Sequence, residues 1–143
     1  MSFHIEGMDG LMSALDKIAD IPDEVKTDAL KAMADLAASE IKKCGKSMQV
    51  RDPTSNVHIL DSISPKKAVV SANGGYADVV FSGSRTRNGI KTNNEEIAFE
   101  NEYGNRHQIA RPFVGTAMAK NADLITALGL KILGDWIEKT FES

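Results

Sequence analysis

The sequence predicts an α+β domain in which a three- or four-stranded antiparallel sheet is packed by two N-terminal helices and a long C-terminal helix. Three observations predict it. Apolar residues recur at helical spacing in two N-terminal stretches and in the last third of the chain. β-Branched and aromatic residues flank Asn73-Gly74-Gly75. Residues 95–103 alternate apolar and acidic side chains at period two. The order is α-α-β-β-β-α. With no internal repeat, the 143 residues form a single domain, 1–143, large enough for one core.

Residues 1–8 read as an arm or short edge strand, Phe3 and Ile5 alternating with His4 and Glu6. Asp9 suits the N-cap of a first helix, because a carboxylate accepts backbone N–H groups that lack a partner there. Met8, Leu11, Met12, Leu15, Ile18 and Ala19 then share one face. Pro22 opens a second helix, since its missing N–H would be unpaired in the first turn, and Asp23 and Glu24 meet the positive end of the dipole. Leu30, Met33, Ala37, Ile41 and Cys44 form its stripe, and Gly45 is placed to end it in the left-handed conformation.

Residues 46–65 form a long connection punctuated by Asp52-Pro53 and Ser64-Pro65, in which Val57, Ile59, Leu60 and Ile63 dock on the core. A connection of this length in a small domain is functional or mobile. Residues 67–72 and 76–81 read as a hairpin turning at Asn73-Gly74-Gly75, residues that tolerate positive φ. Ala77, Val79 and Phe81 take its core face; Tyr76, Asp78 and Val80 take the other. Residues 82–94 are polar, carry Arg85, Arg87 and Lys91 and no acid, and read as a mobile surface loop ordered by a partner.

Residues 95–103 read as the third strand, with Ile97, Phe99 and Tyr103 on one face and Glu96, Ala98, Glu100 and Glu102 on the other. Gly104 ends it. After Asn105, Arg106 and His107, Ala110-Arg111-Pro112-Phe113 opens the last helix. Its buried stripe is Val114, Ala117, Met118, Ile125, Leu128, Ile132 and Trp136, widened by Phe113, Leu124, Ile137 and Phe141. Gly115, Gly129 and Gly134 weaken it, and a break fits near 121–123.

Hydrophobic content of 42 % and charged content of 26 % suit an ordinary globular domain. A net charge of −3 disfavours gripping phosphate backbones as the main task. Cys44 is the single cysteine, which excludes an intrachain disulfide and a multi-cysteine metal site. No apolar run approaches the ~18 residues of a membrane span. The opening MSFHIEGMDG has neither a basic nor an apolar signal region, so a reducing cytoplasm is the expected compartment.

No catalytic constellation is legible. His4, His58 and His107 are widely spaced, no serine lies in a GxSxG elbow, and no phosphate-binding glycine loop occurs. Glu96, Glu100 and Glu102 in one row read as a solvated strand face rather than a metal site, because metal ligands must converge. The residues point to no enzyme, no cofactor and no metal. The basic loop is the most informative charged feature. It is solvated loop charge, a contact for an acidic surface, or the contact element of a small nucleic-acid-binding or regulatory module using residues 85–91.

Glu102-Tyr103-Gly104 followed by Ala110-Arg111-Pro112-Phe113 and Ala117, with Leu60-Asp61-Ser62-Ile63 upstream, resembles the tail-component family of long-tailed bacteriophages and prophages. That family is typified by the gene-ten product of a lambdoid phage. Its upstream Leu-x-x-Ser-Ile segment has one residue more than Leu60, Ser62 and Ile63 allow here. The resemblance implies a head–tail joining, neck or tail-completion protein of the virion, assembled in the bacterial host cytoplasm. It implies partners of three kinds: further copies of the chain in a ring, expected to be a hexamer; neighbouring neck or tail proteins; and DNA passing through passively. Tyr103, Gly104, Pro112 and Phe113 are the motif's folding residues, Pro112 fixing the helix start and Phe113 plugging the core. Arg111 is placed to pair with Glu100 or Glu102 of its own chain or with a neighbour's carboxylate. Ring closure needs two different patches. The sheet edge and the loop 82–94 are expected to meet the next subunit or the adjacent ring, Arg85 and Arg87 being complementary in charge to Glu100 and Glu102, with Lys91 and Arg106 as further interface residues; reversing both Arg85 and Arg87 is expected to weaken assembly without changing the melting temperature.

Overall fold

The computed structural model describes residues 2–4, 21–52, 58–72 and 74–142. The first helix expected after Asp9 lies outside them.

Helix α1 (Asp23–Ser47) and helix α3 (Phe113–Glu142) form the most extensive contact of the fold. Pro22 stands at the N-cap of α1 and its carbonyl accepts from Val25 and Lys26 N–H, with Asp23 and Glu24 in the first turn. Ala29, Leu30, Met33, Ala34, Ala37 and Ile41 are buried at i, i+3, i+4 spacing, and Ile125 and Leu133 of α3 join the same core with Val79. Small alanines let the two helices approach. A second cluster, around Ile41, Ile59, Leu60, Ile97 and Val114, is centred on Phe81 and Phe113, whose rings meet edge-on at 5.8 Å and 70°.

Helix α1 passes through Gly45, the residue expected to end it. A Cβ at 45 would run into the Leu60 methyls and the Phe113 ring, so this glycine permits close packing inside the helix. The left-handed residue that follows the helix is Gln49, at φ 56°. Helix α3 runs unbroken past residues 121–123, Leu133 is fully buried, and Leu124, expected to widen the stripe, is 55 % exposed.

The sheet differs from expectation. Residues 94–103 are not a strand but helix α2 (Asn94–Tyr103). Strand β1 (Ser2–His4), β2 (Ile63–Pro65) and β5 (Asp78–Phe81) make one antiparallel sheet in the order β1-β5-β2. Strands β3 (Val69–Ser71) and β4 (Gly74–Tyr76) form a separate hairpin. Its register pairs Ser71 with Gly74, so Gly74 and Gly75 lie in the strand rather than at its turn. Gly75 is there because a Cβ would meet the Val69 carbonyl at 2.7 Å and a Leu30 methyl at 2.8 Å. Ala77, Val79 and Phe81 are buried as expected, but so is Val80, which the alternation placed on the other face; its strand is the central one of the sheet. Among the described residues the chain is therefore α+β, with three small sheets and three α-helices, one of them at 94–103, where the third strand of a single sheet was expected.

Residues 82–94 are also structured. Strands β6 (Ser84–Arg87) and β7 (Ile90–Asn93) pair around Asn88-Gly89, both at positive φ (51° and 78°), the backbone that suits the right-handed strand twist. The Asn-Gly pair was the local signal for this hairpin.

Helix α2 follows without a linker. Glu95 and Glu96 face the positive end of its dipole, and Gly104 closes it at φ 75°, ψ 173°, a region open essentially only to glycine. A Cβ on Gly104 would also meet Ala110 N at 2.8 Å. Ile97, Ala98 and Asn101 face inward, while Phe99 and Tyr103, spaced i,i+4, contact each other in solvent, their rings tilted at 49° with centroids 4.7 Å apart.

Candidate functional site

The joint between α2 and α3 holds the motif residues together. Both Glu102 oxygens accept backbone N–H groups at the start of α3, from Val114 at 2.8 Å and Gly115 at 2.9 Å. These donors have no partner within the helix, and a carboxylate opposite them is also favoured by the helix dipole. Arg111 N–H donates to Asn101 O at 2.6 Å, and Gly104 turns the chain between the two helices. Glu102-Tyr103-Gly104 and Ala110-Arg111-Pro112-Phe113 are thus one bonded unit.

Buried amides fasten α2 to the rest. Asn101 (1 % exposed) reads both polar atoms of the Arg51 backbone, accepting from its N–H at 2.8 Å and donating to its carbonyl at 3.0 Å. Asn94 donates to Ser82 O at 2.7 Å and accepts from Arg85 Nε at 3.0 Å. Arg85 closes the arrangement with two contacts to Asp52, 2.8 and 2.7 Å, and the Asp52 side chain is 1 % exposed.

This geometry corrects the expected intersubunit pairing at two of its residues. Arg85 and Glu102 are engaged inside their own chain, Arg85 with Asp52 and Glu102 with the α3 N-terminus. The strand face expected to carry all three glutamates does not exist, because the helix keeps Glu96 and Glu100 on one side and turns Glu102 inward to the other. Arg111 reaches neither glutamate within ion-pair distance; its NH1 atom is buried without a hydrogen-bond partner. Lys91 and Arg106 are exposed, and Glu100 is half-buried. Arg87 ends β6, opposite Ile90. Upstream, Leu60 and Phe113 are core residues, Ile63 packs against both clusters, and Ser62 bonds Ile59 O and receives Ser82 N–H. Pro112 O accepts from Thr116 N–H, as expected of a helix start.

Two hollows border α2. A polar cavity of about 350 Å³ is lined by Arg51, Asp52, Glu100, Asn101 and His107. A wider groove of about 550 Å³ runs along the outer face past Asn93, Glu96, Phe99, Glu100 and Asn105. Beside it Tyr103 is 64 % exposed, and Ile109, in the turn before α3, is 76 % exposed. No three His, Cys, Asp or Glu side chains converge as a metal set among the described residues. His58 is structural: Nδ1 accepts from Leu60 N–H, which leaves Nε2–H to donate to Val50 O. The Lys42–Asp61 ion pair at 2.7 Å holds the Asp61 carboxyl below its ordinary range.

Sequence reasoning missed Asp52, Asn94, Asn101 and the outward Phe99. The signal available was the run Asn93-Asn94-Glu95-Glu96 with Gly104 beyond, a helix start and stop around residues that also alternate. No described helix is long and apolar enough to cross a membrane. Comparison with known proteins finds no matching family model, no similar curated protein and no similar solved structure.

Proposed function

We propose that this chain is a structural assembly protein of a long-tailed phage or prophage particle, a ring subunit at the head–tail junction that joins capsid to tail. The observation that carries the reading is the Glu102 cap on α3. The two sequence segments on which the resemblance rests are separated in the chain but bonded to each other, and the helix they fix presents Phe99 and Tyr103 to solvent. Exposed aromatic residues on a rigid element suit a protein whose task is to contact other proteins. The alternative, a nucleic-acid module using residues 85–91, loses one of its cations to Asp52.

Light scattering over a range of concentration and salt, with electron microscopy of the fractions, tests the reading. A discrete cyclic species is expected. A monomer at every concentration, with DNA affinity that falls steeply with salt, would sink it in favour of the nucleic-acid module.

A further inference from the structure

We propose that copies of this chain associate head to tail, the tip of the β6–β7 hairpin of one copy seating in the groove along α2 of the next. The inference rests on the ring-subunit reading for its choice of a second copy as the occupant.

The two surfaces are complementary. The tip presents Ile90, 69 % exposed, and Lys91, also exposed, on a tight Asn88-Gly89 turn. The groove offers an aromatic ledge, Phe99 at 53 % exposure with Tyr103 packed beside it, edged by Glu96 and Glu100. An apolar anchor flanked by a cation meets an apolar ledge flanked by carboxylates. At about 550 Å³ the groove accommodates an isoleucine side chain together with the turn that carries it. Both surfaces are held before association, the tip by its strand register and the ledge by a capped helix, so little ordering is required.

They do not meet within one chain. The groove starts at Asn93, the base of β7, whereas Ile90 stands at the far end of that strand, roughly 10 Å away at the extended rise per residue. The exposure of Ile90 agrees. Two unlike patches on one molecule generate a heterologous contact, which closes into a ring when the rotation permits and otherwise propagates as an open chain.

The test uses a tip variant, Ile90→Asp with Lys91→Glu, and a groove variant, Phe99→Ser with Glu96→Lys, each followed by sedimentation and light scattering. All four positions are exposed, so the tip variant is expected to melt with the wild type and the groove variant slightly below it, because Glu96→Lys places a cation at the positive end of the α2 dipole. The wild type is expected to form oligomers, and each variant to weaken association by about 30-fold or more. Mixing the variants leaves one intact tip and one intact groove, so the mixture should stop at a dimer. Oligomers that survive both variants would overturn the inference and leave the ring reading standing. A wild type that is monomeric throughout would overturn both. Open chains lost in either variant would support the inference and overturn the ring.

Discussion

Along the seam between α1 and α3, Leu30, Met33, Ala37, Ile125 and Leu133 bury carbon and sulfur; around α2, Asn94, Asn101, Glu102 and the Arg85–Asp52 pair bury nitrogen and oxygen. The seam is held by removal of apolar area from water, which is non-directional and tolerates swaps of similar volume. The joint is held by bonds whose donors and acceptors lie far apart in sequence, Arg51 with Asn101 and Asp52 with Arg85. Such groups contribute modestly when paired and cost much more when one partner is removed. The part of the molecule that sets the direction of α2 is therefore the part most sensitive to single polar substitutions.

The largest effect is expected at the ion pair. Arg85→Met leaves a buried Asp52 carboxylate uncompensated and should cost about 3–5 kcal/mol in urea denaturation, while adding Asp52→Leu should recover most of the loss. This replaces the expectation that charge reversal at Arg85 spares the fold. Equal stability of the wild type and the single variant would mean that the joint does not depend on this pair. A smaller loss, about 1–2 kcal/mol, is expected for Glu102→Ala, which strips the acceptor from two N–H groups at the start of α3. Hydrogen exchange should then accelerate at Val114 and Gly115 while amides in the middle of α1 stay protected relative to the global stability.

The smallest effect belongs to Lys42 and Asp61, which are substantially exposed. Lys42 lowers the folded-state pKa of Asp61, so the pair stabilises the fold above the unfolded carboxylate pKa of about 4 and loses its contribution as pH falls through the folded value. Lys42→Met should lower the melting temperature slightly at neutral pH and not at all once the pH lies below the folded-state pKa of Asp61. A gap between the two proteins that persists in acid would assign the effect to something other than this carboxylate.

Much of this architecture was legible because burial leaves a period in the sequence. The stripes of α1 and α3 and the alternation at Ala77, Val79 and Phe81 each follow from one face meeting the core. The segment 94–103 was not, because two periods coexist there. Ile97, Phe99 and Tyr103 satisfy a strand, while Ile97, Ala98 and Asn101 satisfy a helix. The motif residues of the candidate site stood out in sequence, but their bonding did not. Nothing local distinguishes Glu102, which caps a helix, from Glu96, which faces solvent.

The sequence by itself determined the two long amphipathic helices and the punctuation at Pro22, Gly104 and Pro112, while the hairpin at 84–93 stood where a mobile loop was expected. Only the tertiary structure decided that 94–103 is helical, that Arg85 points to Asp52, and that Phe99 and Tyr103 are left outside. Hydrophobic burial repeats along the chain and can be read from it. A hydrogen bond between residues 50 positions apart, such as Arg51 and Asn101, has no period and exists only once the elements are packed.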